Sequence, residues 1–200
     1  MSRPGSTRTA STNIGRGGEQ RILEGKLAIV TGIGAATAEN LASKGASVII
    51  NFTSDSSADK SEKLARQLST NYGVKCLPVQ ADMGTETGPA HLINMAMNHF
   101  AHPKTHKMQV DVVVNNAGVA SKSALQDCTS EEFARLYNVN VRGPLLLMKA
   151  VEPHLPHDRS GRVVNVSSVS AALGFEEDAM LRWHQGCSRS HDKNLGTGAL

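Results

Sequence analysis

Five polar clusters each follow a short apolar run, and their residue types point to a ligand gathered at one edge of the fold. Thr31-Gly32-Ile33-Gly34 closes the first run. A strand that enters a helix through glycines presents unpaired backbone N–H groups and the positive end of a helix dipole, which together attract a phosphate. Asn51 closes the second run, with the uncharged donors Thr53, Ser54 and Ser56 just beyond it. Asp82 follows the third run, Asn115-Asn116-Ala117-Gly118 the fourth and Ser167-Ser168 the fifth. His99, His102 and His106 have loosely metal-like spacing, but Pro103 breaks any shared helix face, and no cysteine or acid recurs with them. They read as a solvated helix end.

The elements that must hold those clusters are alternating strands and helices. Leu27 to Val30 is continuously apolar, as a strand buried on both faces of a parallel sheet requires. Ala35, Ala38, Leu41 and Ala42 then recur at helical spacing, small enough to let a helix lie close to the sheet, and Gly45 stops it. Further strands are expected at Ala46 to Asn51, Val74 to Gln80, Val110 to Val114 and Arg162 to Val166. Helices are expected at Ser57 to Thr70, Thr85 to Phe100 and Glu131 to Val151, the last with Phe133, Leu136, Leu145 and Leu146 as core candidates. This alternation predicts an α/β fold, a doubly wound parallel sheet with right-handed crossovers, and ligands at the carboxyl ends of its strands.

Composition narrows the function. The chain has 200 residues, enough for one domain with a real core, and its net charge of +3 implies no basic nucleic-acid face. No apolar run is long enough to cross a membrane. Cys76, Cys128 and Cys187 are widely spaced and fit a reducing compartment, not a disulfide frame. Residues 1–23 are rich in Ser, Thr, Gly and Arg and read as a disordered tail. Their arginines also resemble a mitochondrial presequence, although the amphipathic apolar face is missing. A cytoplasmic location is expected, with the mitochondrial matrix as the alternative.

The order VTG…IG, NNAG, NVNVRGPLL and GRVVNVSSVS resembles the short-chain dehydrogenase/reductase family, and its ketoreductase branch such as the 3-oxoacyl-carrier-protein reductases. The resemblance covers residues 24–180 and implies a Rossmann fold, a small carbonyl or alcohol substrate, and a homo-oligomer in the intact family. By position it assigns Gly32, Ile33 and Gly34 to the phosphate-cradling turn. Asn116, Ala117 and Gly118 become backbone neighbours of the adenosine ribose, and Asp82 lies at the adenine amino group. A carboxylate at the end of the second strand would repel a 2′-phosphate, whereas Asn51 and Ser54 are uncharged. The expected cofactor is therefore NADP, with NAD as the alternative because Asp55 lies close by. The family reaction is hydride transfer with a tyrosine as general acid/base, its pKa lowered by a lysine. Asn140 and Ser168 match the family's catalytic asparagine and serine.

Two departures stand against that pattern. The opening turn lacks four residues of the family's Thr-Gly-x-x-x-Gly-x-Gly, roughly 13 Å of loop. The tyrosine and lysine positions hold Leu181 and Gln185, which supply neither a titrating proton nor a charge. Tyr137 shares the helix face of Asn140 but reads as packing. Back-translating residues 181–200 and reading one nucleotide later yields YGGTKAAVEAMTKTWAREL, with tyrosine and lysine in register. A frameshift or misplaced splice boundary after residue 180 is therefore expected, leaving an aberrant tail over 181–200, a fold incomplete on its C-terminal side and a fifth strand with an uncovered apolar edge. Sequencing the transcript across codons 178–185 checks this: codons incompatible with that second reading would remove the expectation.

Overall fold

The computed structural model describes residues 20–32, 34–121 and 125–168. Ile33, Leu173, Gly174, Phe175, Leu181 and Gln185 lie outside them, as do residues 1–19 and the tail from residue 181. The strands are β1 (Leu27–Val30), β2 (Ser47–Phe52), β3 (Cys76–Gln80), β4 (Val112–Asn115) and β5 (Arg162–Asn165). The helices are α1 (Ala35–Ser43), α2 (Ala58–Tyr72), α3 (Gly88–Phe100), α4 (Ser130–Tyr137) and α5 (Gly143–Val151). All strand pairs are parallel, in the order β3-β2-β1-β4-β5. The doubly wound sheet expected from the sequence is therefore present. The strand order reverses on either side of β1, and in such sheets the crevice for a ligand opens at that switch point.

Alternation along each strand divides the core into two faces. Leu27, Ile29, Ile49 and Val113 point to one, where they meet Leu92, Ile93 and Ala96 of α3 and Leu147 and Val151 of α5. Ala28, Val30, Val48 and Ile50 point to the other, against Ala38 and Ala42 of α1 and Ala65 and Leu68 of α2. Ile29 and Ile49 are both fully buried, and each burial contributes about 2 kcal/mol. On the β3 edge Pro78 offers no backbone donor, which an edge strand tolerates. Cys76 beside it is a free thiol pushed above its usual pKa by burial, which disfavours the reactive thiolate.

The single helix expected over residues 131–151 is instead α4, a π-helical turn at Asn138–Arg142, and α5. Of its four core candidates only Leu136 is fully buried; Phe133 and Leu145 are 47% and 50% exposed. Periodicity identifies which residues share a face, but not whether another element covers it. Phe133 stacks on Tyr137 along the outer side. Helix α3 starts at Gly88, later than expected, because residues 82–87 form a side-chain-braced turn. There the Thr85 hydroxyl donates to Asp82 O at 2.9 Å and accepts from Gly88 N at 3.0 Å. At the end of the fifth strand Val164 and Val166 are 48% and 54% exposed.

Candidate functional site

The polar clusters do meet along the carboxyl edge, and Thr31 is the knot that joins two of them. Its hydroxyl accepts from the backbone N–H groups of Asn116 and Ala117, at 3.0 and 3.1 Å. Asn116 Nδ2 donates in turn to Thr31 O at 2.9 Å. The end of β1 is thereby bound to the loop after β4. Gly32 is packed into the same junction: a Cβ there would stand 2.9 Å from Ala117 Cα, and its φ of +65° favours glycine. Asn115 Nδ2 reaches across the register to Asn165 Oδ1 at 2.7 Å, while Asn115 Oδ1 is buried with no partner among the described residues.

Asn51 takes a different place from the ligand-facing one expected. Its side chain is fully buried and directed at backbone. Nδ2 donates to Ala81 O at 2.8 Å and lies within 3.4 Å of Val79 O, and Oδ1 accepts from Gly32 N at 3.2 Å. One amide thus ties the end of β3 to the glycine turn across β2. Asn51→Ala strands a buried carbonyl and a backbone N–H, a loss of about 2 kcal/mol by urea denaturation. Retention of parental stability would show that water replaces those bonds.

The shortened glycine turn consumes donors that a phosphate would otherwise use. Gly32 N is given to Asn51, and Gly34 N donates to Gly32 O at 2.8 Å. Among the described residues the remaining donors belong to the first turn of α1, where Gly34 makes no side-chain cap and no acidic residue stands. A helix start without its own anion is compatible with an anionic ligand. Beyond β2 the first side chains open to solvent are Thr53, Ser54, Asp55 and Ser56. Ser54 Oγ lies 2.9 Å from Ser56 Oγ and 3.1 Å from Ser57 Oγ. Asp82 is exposed, and its Oδ1 accepts from Gly84 N at 2.8 Å.

Asn140 lies in the π-helical turn, a feature often found at functional sites. Its amide clamps Val119 on both sides: Oδ1 accepts from Val119 N at 2.9 Å and Nδ2 donates to Val119 O at 2.7 Å. Arg135 donates to Ala120 O at 3.2 Å, and Glu132 accepts from the Ser121 hydroxyl, so the helix holds three successive loop residues. Gly118 borders the same amide, since a Cβ there would lie 3.5 Å from Asn140 Oδ1. Arg142 fastens the turn from below by donating to Gly84 O at 2.8 Å. Ser168, half-buried, lies just past β5. Among the predicted residues Gly32, Gly34, Asn116, Ala117, Gly118 and Asn140 form one contiguous cluster with Asn51 beneath it. Ile33, Leu181 and Gln185 fall outside the described residues.

Sequence reasoning missed Thr31, Gly143 and Arg142 as positioning residues. In the sequence Thr31 reads as part of the glycine-turn cluster and not as the joint to the Asn116 loop, and Arg142 and Gly143 stand only as members of the NVNVRGPLL motif, with no role assigned.

The family model for short chain dehydrogenase matches residues 26–180. The chain is 48% identical over 169 residues to L-xylo-3-hexulose reductase of Hypocrea jecorina, and 45% identical over 168 residues to L-xylulose reductase of Aspergillus niger. Each alignment covers 78% of this chain and 56% of the relative, so the chain spans little more than half the length of these curated relatives. Among solved structures, landomycin C-6 ketoreductase LanV with bound NADP and rabelomycin superposes with a TM-score of 0.78 at 27% identity, covering 88% of this chain and 72% of that one.

Proposed function

We propose that this chain, which belongs to the short chain dehydrogenase family, carries the NADP(H)-binding part of a reductase acting on a small carbonyl compound. The observation that carries the reading is the Thr31 junction, which brings the glycine turn, the first turn of α1 and the Asn116 loop to the switch point of the sheet. In this reading the first turn of α1, which follows the Gly32–Gly34 turn, receives the pyrophosphate. Ser54 and its neighbouring hydroxyls receive the 2′-phosphate, and Asp82 accepts from the adenine amino group. Asn116, Ala117 and Gly118 border the ribose. Asn51 serves by holding Gly32 in place. When bound, NADPH supplies the hydride.

Asn140 and Ser168 belong to the reacting end. The serine hydroxyl holds the substrate oxygen, and the asparagine supports a water-linked proton path, its side chain meanwhile fixing Val119. The names of the two curated relatives, L-xylo-3-hexulose reductase and L-xylulose reductase, support a ketose ahead of a 3-oxoacyl thioester as the substrate class. With Leu181 and Gln185 in the acid/base positions, this chain as written binds the dinucleotide without turning it over.

Titrating the full chain with NADPH, followed by nicotinamide fluorescence, is expected to show saturable binding. Adding L-xylulose is expected to leave the NADPH absorbance constant. Absence of binding would overturn the cofactor reading. Oxidation of NADPH would overturn the inactive one and point to another acid/base residue.

A further inference from the structure

We infer that Gln80 is a specificity-positioning residue, which holds the Asp55 carboxylate aside so that the hydroxyl cluster after β2 can accept a 2′-phosphate. The inference rests on the cofactor reading above and concerns how the same site discriminates NADPH from NADH. Asp55 is the one acid among residues 53–57, and it follows directly on Ser54. Left free beside the hydroxyls, its charge would repel a phosphate monoester and favour an unphosphorylated ribose. Gln80 Nε2 donates to Asp55 Oδ1 at 2.7 Å and, with its second hydrogen, approaches Thr53 O at 3.3 Å. The amide therefore grips both the acid and the backbone two residues before it.

The sheet makes this grip directional. Gln80 is the last residue of β3 and pairs in register with Phe52, the last residue of β2. Its side chain reaches the 53–55 turn from the β3 side. Ser54 meanwhile turns to Ser56 and Ser57, bonds that do not involve Asp55. The acid and the hydroxyls are thus sorted into separate partnerships within a span of four residues. Ser54, Asp55, Ser56 and Gln80 are exposed and Ser57 is half-buried, so substitutions at Asp55 and Gln80 leave the core untouched.

The test compares dissociation constants of NADPH and NADH by calorimetry for the full chain and for Gln80→Ala, Asp55→Asn and the double variant. Gln80→Ala is expected to reduce the preference for NADPH about five-fold, the size of one unscreened charge contact at the surface. Asp55→Asn is expected to keep or raise that preference, and the double variant to restore it to the parental value or above. A parental preference for NADPH that Gln80→Ala leaves unchanged overturns the latch alone. A parent that binds neither dinucleotide, or prefers NADH, overturns the latch together with the cofactor reading beneath it.

Discussion

Asp111→Ala is expected to lower stability by about 3 kcal/mol, the larger of two effects that separate the scaffold from the site. Asp111 stands at the start of β4, on the edge of the sheet opposite the candidate site, and its side chain is only 7% exposed. It accepts three hydrogen bonds, from Lys26 Nζ at 2.9 Å, Leu27 N at 3.0 Å and Gln109 Nε2 at 2.8 Å. Lys26 is 40% exposed and regains water when the acid is removed, so the pair itself accounts for about 1 kcal/mol or less. The larger part comes from the buried Leu27 N–H, which has no other acceptor once the carboxylate is gone. Asp111 also joins β1 and β5 through its backbone, with Asp111 N donating to Leu27 O at 2.8 Å and Arg162 N donating to Asp111 O at 2.9 Å. For a domain of this size the loss corresponds to a fall of about 6–12 °C in Tm. Asp111→Asn, which keeps one acceptor for Leu27 N, is expected to lose about half as much. Urea denaturation of the two variants checks this, and an alanine variant within 1 kcal/mol of the parent would contradict the account of the buried N–H.

Gly143→Ala is the second, and here the sign is the point. Gly143 has helical angles, φ −57° and ψ −57°, and at an ordinary helical position alanine would gain about 1 kcal/mol over glycine. At Gly143 a Cβ would stand 2.5 Å from Met83 O and 3.3 Å from Met83 C, both backbone atoms that cannot rotate away. Either α5 or the turn carrying Asp82 must move. Overpacking costs about 1–3 kcal/mol, and a 2.5 Å approach to a backbone oxygen places Gly143→Ala at the upper end of that range. Set against the helical gain of about 1 kcal/mol, the net expectation is a loss of about 2 kcal/mol where a gain would otherwise be read. The displacement also reaches the site, because Asp82 precedes Met83 and Asn140 shares the π-helical turn that runs into Gly143. NADPH affinity is expected to fall at least ten-fold. Gly118→Ala is the matching control, since its Cβ would meet Asn140 Oδ1 at 3.5 Å and Asn116 O at 3.9 Å, both ordinary contacts, and it should change stability by about 0.5 kcal/mol or less. Equal melting of Gly143→Ala and Gly118→Ala would refute the steric argument.

Much of the scaffold was legible before any coordinates. Strands buried on both faces are continuous apolar runs, so Leu27 to Val30 and the Val112–Asn115 strand declare themselves without alternation. The small residues of α1 announce close packing, and Ala38 and Ala42 are fully buried. The candidate residues were legible for the related reason that polar groups placed just after buried strands must emerge at one edge of a parallel sheet. Asn116, Ala117 and Gly118 do meet Gly32 and Asn140 there.

What the residues do at that edge depended on approach between distant segments. A polar side chain at a strand end reads as a ligand donor, and only the arrival of Ala81 on one side and Gly32 on the other shows that the Asn51 amide serves the backbone. The π-helical turn around Asn140 was equally hidden, since no propensity distinguishes it from the α-helix that its neighbours favour. Nor did helical spacing reveal that Phe133 and Leu145 would face outward. The sequence by itself determined the order of elements, the parallel sheet and the edge where the polar clusters gather, because burial pattern and strand ends are local properties of the chain. The tertiary structure alone decided which polar groups remain available, because a hydrogen-bond donor is spent or left open by whatever partner, remote in sequence, is brought within 3 Å or so of it.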